Sequence, residues 1–144
     1  MSYHTSGQGS AETRVLPPVP LPDADSAPFW EAVAQHRLVL QRCAACGVLR
    51  HPPRTMCPSC LSFENEWIGA SGRGRVWSWV VAHPPVLPAF AERTPYNVIV
   101  VELEEGVRMV GNLVGGAVPS EDLPVEVVFE DVEEGVTLPQ WKPI

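Results

Sequence analysis

All four cysteines of this 144-residue chain lie between positions 43 and 60, as two Cys-x-x-Cys pairs. The pairs are Cys43-Ala-Ala-Cys46 and Cys57-Pro-Ser-Cys60. The two-residue spacing lets both sulfurs of a pair point at one ion, and Gly47 after the first pair permits a backbone turn with positive φ. Two such turns opposed across a short hairpin supply four thiolates in tetrahedral geometry. The cysteines therefore predict a zinc ribbon that holds one structural Zn²⁺.

The cysteines have two alternative uses, disulfide bonds and iron binding. Disulfides require an oxidising compartment, and the sequence shows no basic-then-apolar secretion signal. A rubredoxin-like iron site uses similar turns, so iron stays open beside zinc. Four thiolates leave no open coordination position, which favours a structural metal over a catalytic one. His51 lies between the pairs and is interpreted as a loop residue or a donor behind the ligands.

Amino-acid composition limits the fold classes and the kinds of partner that this chain can have. The chain has 16 prolines, about twice the average usage, which favours short strands joined by turns over a helical bundle. No run approaches the ~18 apolar residues of a membrane helix, so a cytoplasmic protein without membrane spans is expected. The net charge is -7, and Lys142 is the single lysine. This charge argues against nucleic-acid binding, which depends on basic residues that neutralise phosphates.

Three segments follow from the patterning. Residues 1–24 are expected to be a flexible N-terminal segment, residues 25–68 a helix plus the zinc ribbon, and residues 69–144 a small barrel. The last segment contains alternating stretches separated by turn residues, as expected for short strands of a Greek-key barrel. The predicted fold class is mainly β: an N-terminal helix and rubredoxin-like zinc ribbon followed by an OB-fold barrel. The last strand is predicted to be short, at 136–138.

Two local predictions concern the helix and the first barrel strand. Asp25 or Ser26 is expected to cap the helix, which should end near His36. The strand at 73–83 alternates, and its pattern places Val76, Ser78 and Val80 on one face and Trp77, Trp79 and Val81 on the other. One of these faces is expected to lie in the core.

The order of several short motifs resembles a known family. The chain is similar to the zinc-ribbon plus OB-fold proteins called domain of unknown function thirty-five, over about residues 25–143. The matching stretches are Phe29-Trp30-Glu31-Ala32, 38–43, Pro52-Pro53-Arg54, Cys57-Pro58-Ser59-Cys60, 71–74, Pro95-Tyr96, 105–108 and 125–129. The run at 120–124 departs from the family pattern, in which a glycine-containing turn is common.

The resemblance implies a function that composition and spacing do not show. Proteins of this family accompany thiolase-superfamily enzymes and help to hold an acyl-CoA or to pass it between enzymes. Related domains are fused to hydratases of steroid side-chain breakdown and pair with a thiolase-like aldolase. We therefore expect a non-catalytic accessory subunit that docks on a thiolase-like enzyme and supports acyl-CoA binding or transfer. A native fusion to a hydratase domain is a further hypothesis.

Two groups of residues are candidates for that role. Arg50, Arg54, Arg73 and Arg75 flank the ribbon and its junction with the barrel, and arginine pairs with phosphate groups such as those of CoA. The alternative is scattered surface arginines that offset an acidic chain. Phe29 and Trp30 are candidates for a partner interface, because interface centres are enriched in aromatic residues.

No catalytic constellation is visible in the sequence, and all four cysteines are assigned to the metal. Gly-x-Ser-x-Gly, His-Glu-x-x-His and phosphate-loop motifs are absent. The main alternative function is a nucleic-acid-binding module, since zinc ribbons and OB-folds both occur in that role. A free-standing acyl-CoA hydrolase is the third hypothesis, and the missing base and nucleophile argue against it.

Overall fold

The computed structural model describes residues 16–144, and 1–15 of the expected flexible segment lie outside them. One α-helix opens the described part, α1 (Ala27–Ala34). A three-stranded sheet follows, in the order β2-β1-β3, formed by β1 (Val39–Cys43), β2 (Leu49–Arg50) and β3 (Asn65–Gly69). A second sheet has the order β6-β5-β4-β7-β8, formed by β4 (Arg73–Ala82), β5 (Tyr96–Leu103), β6 (Arg108–Gly111), β7 (Pro124–Glu133) and β8 (Val136–Pro143). The predicted mainly β class is confirmed.

The five-stranded sheet nearly closes into a barrel around Trp141, which is completely buried. A parallel bridge joins Leu113, just after β6, to Trp141 in β8. The Trp141 N–H donates to the Asn112 carbonyl at 2.9 Å, and the Val114 N–H donates to the Trp141 carbonyl at 2.8 Å. The hydrophobic core is continuous from the helix through the ribbon sheet into the barrel. The predicted division at residue 69 stays a prediction, and it falls where β3 ends.

The start of the helix lacks the predicted side-chain cap. Neither Asp25 nor Ser26 caps it with a side chain; Ser26 instead donates from N and Oγ to Asp23 Oδ1, at 2.8 and 2.7 Å. At the other end His36 adopts a positive φ of 57°, and the Arg37 N–H donates to the Ala32 carbonyl at 2.9 Å. This is the left-handed ending common to helices. Across the described residues, no helix is long and apolar enough to cross a membrane.

The predicted faces of β4 are wrong, because the strand contains a bulge between Val76 and Ser78. The extra residue, Trp77, reverses the alternation, so Val76 shares a face with Trp79 and Val81. Only Val76 is fully buried, and the apolar side chains that follow it remain exposed. The expected core face therefore ends at the bulge.

The last strand, β8, is longer than the predicted 136–138. It runs from Val136 to Pro143 and includes two prolines, Pro139 and Pro143. The strand lies at the end of the five-stranded order, where a missing N–H does not interrupt a ladder. Pro139 pairs with Phe129 of β7 in regular register.

Candidate metal centre and ligand-binding groove

The two cysteine turns have the same main-chain hydrogen bonds. In the first, the Gly47 N–H donates to the Cys43 carbonyl at 2.9 Å, and in the second the Leu61 N–H donates to the Cys57 carbonyl at 2.9 Å. Both turns need a positive φ at this position, 78° at Gly47 and 65° at Leu61. The sequence revealed the first requirement through its glycine, whereas Leu61 gave no such signal.

The turns bring the four predicted ligands together. All four sulfurs lie within 4.8 Å of one another, with Cys43 Sγ 3.5 Å from Cys60 Sγ and Cys46 Sγ 3.7 Å from Cys57 Sγ. Cys43 and Cys57 are buried, while Cys46 and Cys60 are exposed. Sulfurs at this separation suit a tetrahedral Zn²⁺ site with four thiolates.

The electrostatics of the sulfurs also fit a cation. The Cys46 N–H donates to Cys43 Sγ at 3.5 Å, and main-chain donation of this kind lowers the pKa of the Cys43 thiol to about 6. The Ser62 N–H acts in the same direction on Cys60, but burial and the neighbouring sulfurs of Cys43, Cys46 and Cys57 together outweigh it and raise the pKa of Cys60 to about 12. Four negative sulfurs this close are stable only around a positive ion. The predicted structural zinc, one per chain, is confirmed by this donor set together with the zinc-ribbon match reported below.

A buried arginine lies behind the ribbon. Arg50 is only 6% exposed, and its Nε donates to Gln41 Oε1 at 2.6 Å. The same oxygen accepts the Arg54 N–H at 2.8 Å, and Arg50 Nη2 donates to the Arg54 carbonyl at 3.2 Å. Arg50 Nη1 is buried and has no hydrogen-bond partner among the described residues. A buried guanidinium nitrogen without an acceptor is uncommon and calls for one.

A cavity of about 370 Å³, here called the cationic pocket, is lined by Arg50, His51, Arg54 and Arg108 together with Gly106 and Pro58. Among the described residues, no carboxylate lines it. Arg108 lies in the family stretch 105–108, and no charge pattern in the sequence identifies it as a ligand-binding residue. Its guanidinium lies 3.7 Å from the centre of the Trp77 ring, and its Nε donates to Glu102 at 3.3 Å.

A larger cavity of about 540 Å³, here called the apolar cleft, is lined by Phe29, Trp30, Pro52, Met109 and Pro139. The Phe29 and Trp30 rings meet edge to face with centroids 5.0 Å apart, and the Phe29 ring lies 5.2 Å from that of His51. Burial lowers the pKa of His51 to about 4, so the ring is neutral at pH 7. His51 and Arg108 line both cavities, which therefore form one groove with an apolar and a cationic end.

The structure separates the four arginines predicted to contact CoA. Arg50 and Arg54 meet in the cationic pocket, whereas Arg73 and Arg75 lie in β4. Arg75 is paired with Glu102 and Asp122, each at 2.9 Å. Two carboxylates already neutralise that guanidinium. The groove therefore adds Arg108 to the predicted set and leaves Arg73 and Arg75 outside.

Two family models match the chain over most of its described length. The ChsH2 rubredoxin-like zinc ribbon domain matches residues 30–66, and the ChsH2 C-terminal OB-fold domain matches residues 67–130.

Curated relatives fall into two groups. The chain is 44% identical over 138 residues to a probable enoyl-CoA hydratase alpha subunit of Thermomonospora curvata, covering 94% of this chain and 43% of the relative. It is 39% identical over 127 residues to the 3-oxo-4,17-pregnadiene-20-carboxyl-CoA hydratase alpha subunit of Mycobacterium tuberculosis, covering 86% and 39%. The chain thus spans less than half the length of these two relatives.

The shorter relatives are matched over most of their length. A DUF35 domain-containing scaffold protein of Methanocaldococcus jannaschii is 38% identical over 112 residues, 73% of this chain and 77% of the relative. The benzoylsuccinyl-CoA thiolase subunit BbsA of Thauera aromatica is 32% identical over 106 residues, 70% and 71%.

A solved structure, described as the Ltp2-ChsH2(DUF35) aldolase, superimposes with a TM-score of 0.78. The identity is 46%, and the match covers 86% of this chain and 98% of that one. The ribbon, the barrel and their order agree with the predicted resemblance. The chain belongs to the DUF35 family, with a zinc ribbon and an OB-fold of the ChsH2 type.

Proposed function

We propose that this chain is a non-catalytic accessory subunit that docks on a thiolase-like enzyme and supports binding or transfer of its acyl-CoA substrate. The observation that carries the proposal is the groove, in which a cationic pocket adjoins an apolar cleft. An acyl-CoA combines phosphate groups with an apolar chain, and the two ends of the groove match these two parts. The names of the relatives, which include CoA hydratase subunits and a thiolase subunit, agree with this substrate class.

The cationic pocket suits phosphate for two reasons. Arginine binds phosphate oxygens through charge-assisted hydrogen bonds, and Arg50 and Arg54 line the pocket together with Arg108, whose guanidinium is also paired with Glu102 and stacked on Trp77. A bound phosphate would also supply an acceptor for Arg50 Nη1, which has none among the described residues. Arg54 is exposed and can turn towards a ligand without losing a buried contact.

The described groove lacks the groups that acyl-CoA chemistry requires. All four cysteines belong to the metal centre, so no thiol is free to act as a nucleophile. His51, the histidine of the groove, has a pKa of about 4, far from the value near 7 that suits a general base. Chemistry is therefore assigned to the partner enzyme, as the scaffold names of several relatives also suggest.

Docking is assigned to Trp30, which is half-buried at the rim of the apolar cleft beside the fully packed Phe29. An aromatic side chain that can still lose surface is a suitable interface anchor. The hydratase alpha subunit name with a pregnadiene acyl group supports steroid side-chain degradation as the setting. The longer length of the hydratase relatives supports a native fusion to a hydratase domain.

The test uses this chain and the thiolase-like protein encoded next to it. We expect co-elution of the two in size-exclusion chromatography and acyl-CoA turnover that depends on the complex. Arg54→Ala should raise the KM for acyl-CoA about tenfold, the loss of one charged contact, without affecting complex formation. Arg37→Ala is the matched control, because Arg37 is also exposed and its guanidinium donates to the exposed Gln35.

Trp30→Ala should weaken the complex and leave the zinc content unchanged. Turnover by the lone chain would contradict the accessory role. Equal KM values for the Arg54 and Arg37 variants would remove the groove from substrate binding.

A further inference from the structure

The second half of β4 has one neighbouring strand in the described part of the chain. β7 pairs with β4 only over Arg73–Arg75, whereas β5 accompanies β4 as far as Ala82. Val76 is still covered: its N–H donates to the Leu123 carbonyl, and its carbonyl accepts the Asp122 N–H, both at 3.0 Å. Beyond Val76, no strand among residues 16–144 pairs with the edge of β4 that faces away from β5, and this edge is here called the open edge.

The open edge presents the main-chain groups of Trp79 and Val81. Residues of an antiparallel strand alternately bond to the neighbour and turn their N–H and C=O away from it. The Glu104 N–H donates to the Arg73 carbonyl, so the odd-numbered residues of β4 before the bulge bond to β5. The extra residue of the bulge shifts this hydrogen-bonding pattern by one residue on β4. The residues of β4 that face β5 after the bulge are Ser78, Val80 and Ala82.

Exposed apolar side chains accompany these free groups. Trp77 is 49% exposed, Trp79 38%, Val80 62% and Val81 46%, so both faces of the strand meet solvent. An edge of this kind accepts an additional strand, because its donors and acceptors are already aligned. The bulge limits such a strand at one end, and Pro84 limits it at the other.

The charge around this edge restricts what can be added. No charged side chain occurs from Val76 to Ala82. The two cations beside the strand, Arg75 and the Arg108 that stacks on Trp77, are paired with the two carboxylates of Glu102 and Asp122. An incoming segment therefore meets no net electrostatic attraction or repulsion at the edge. It must itself be uncharged, because a charge on it would lose its hydration without gaining a partner of opposite charge. A second copy of this chain brings its own net charge of -7, and the edge offers no opposite charge to offset that repulsion.

We propose that an extended, uncharged segment of the thiolase-like partner adds to β4 as a further strand, paired with the main chain of Trp79 and Val81. This inference rests on the proposed function for the class of partner. The open edge and the groove strand β6 lie on opposite sides of β5, and the Arg108 guanidinium, which stacks on the Trp77 ring, links the two regions.

The test compares two substitutions at one position. Val81→Pro removes the outward N–H and adds a ring to the open edge, while the bonds between β4 and β5 remain. Val81→Thr is the matched control, because it keeps the N–H and the branched shape. With the enzyme encoded next to this chain, we expect Val81→Pro to weaken binding at least about tenfold and Val81→Thr less than about threefold. Zinc content and thermal unfolding of both variants verify folding.

Hydrogen exchange provides a readout that does not depend on a variant. The amides of Trp79 and Val81 should exchange rapidly in the lone chain and become protected in the complex. Protection already present in the lone chain would overturn the proposal and assign the edge to a second copy or to residues 1–15.

The remaining outcomes separate this inference from the proposed function. Trp30→Ala could weaken the complex while Val81→Pro leaves it intact and no new amide protection appears. This result would overturn the added strand and retain the accessory role. Equal weakening by Val81→Pro and Val81→Thr would overturn main-chain pairing in favour of a side-chain contact. Failure of the unaltered chain to bind the enzyme would overturn both proposals.

Discussion

The hydrogen bonds of Gln41 allow a stability prediction with a defined magnitude. Its Oε1 accepts from Arg50 Nε at 2.6 Å and from the Arg54 N–H at 2.8 Å, and its side chain is 1% exposed. Gln41→Leu keeps most of the volume and removes the one oxygen that accepts both hydrogen bonds. Losing the bond to the charged Arg50 costs about 1.5–3 kcal/mol, and leaving the Arg54 N–H unpaired adds about 1–3. We expect the free energy of unfolding to fall by about 3–5 kcal/mol.

A double substitution tests whether the cost arises from a stranded charge. In Gln41→Leu, Arg50 keeps only its 3.2 Å bond to the Arg54 carbonyl, and Nη1 still has no acceptor. Arg50→Met removes that charge, so the double variant should be more stable than Gln41→Leu alone by about 1–3 kcal/mol. The two single costs should therefore not add.

The assay is urea unfolding at constant free zinc, followed by tryptophan fluorescence and far-ultraviolet circular dichroism. The slope with denaturant must stay the same for the comparison to hold. Metal analysis of each variant controls for loss of the ribbon. A cost below about 1 kcal/mol for Gln41→Leu, or strictly additive costs, would refute the assignment of Arg50 as a charge held by Gln41.

Three further predictions concern other positions. The pKa of His51 is about 4 in the folded protein, below its unfolded value near 6.5. The stability contributed by keeping this ring neutral is fully present above pH 6.5 and is lost as the pH falls towards 4. Urea unfolding should show a loss of about 2 kcal/mol from pH 7 to pH 5, and His51→Gln should flatten that part of the profile. Gly47→Ala should lower stability by about 1 kcal/mol through the positive φ alone, since nothing lies near the added carbon. Leu61→Gly, at the matching position of the second turn, should be neutral or stabilising by up to about 1 kcal/mol. Thermal unfolding of the zinc-loaded protein compares the two variants, and the opposite order of stabilities would contradict the shared turn geometry. Gly111→Ala would place its Cβ 2.8 Å from the buried Trp141 ring, and an unfolding experiment should show a loss of about 1–3 kcal/mol rather than a neutral change.

The metal centre and most strands could be predicted because their signals are local. Two residues between paired cysteines determine where both sulfurs point, so Cys43, Cys46, Cys57 and Cys60 identify the site without knowledge of the fold. The hairpin of β5 and β6 also has a local signal, since Glu105-Gly106 lies between two stretches rich in β-branched residues.

The features that were missed depend on residues far apart in the chain. The bulge at Trp77 is set by pairing with β5 and cannot be inferred from an alternating pattern that continues through it. The strand β8 continues through Pro139 because the nitrogen of this proline faces away from β7, on the side where Trp141 donates to Asn112, and this depends on sheet order. Arg108 reaches the cationic pocket because β6 packs beside the ribbon loop that carries Arg50.

The structural zinc and the groove depend on the same short segment. Residues 47–56 connect the two cysteine turns, and they carry Arg50, His51 and Arg54, which line the groove. The ends of this segment are held together because Cys46 Sγ lies 3.7 Å from Cys57 Sγ at the metal centre. Its middle is held by Gln41, which lies two residues before Cys43 in β1. By closing this loop, the structural zinc determines where the cationic groups lie relative to the apolar cleft.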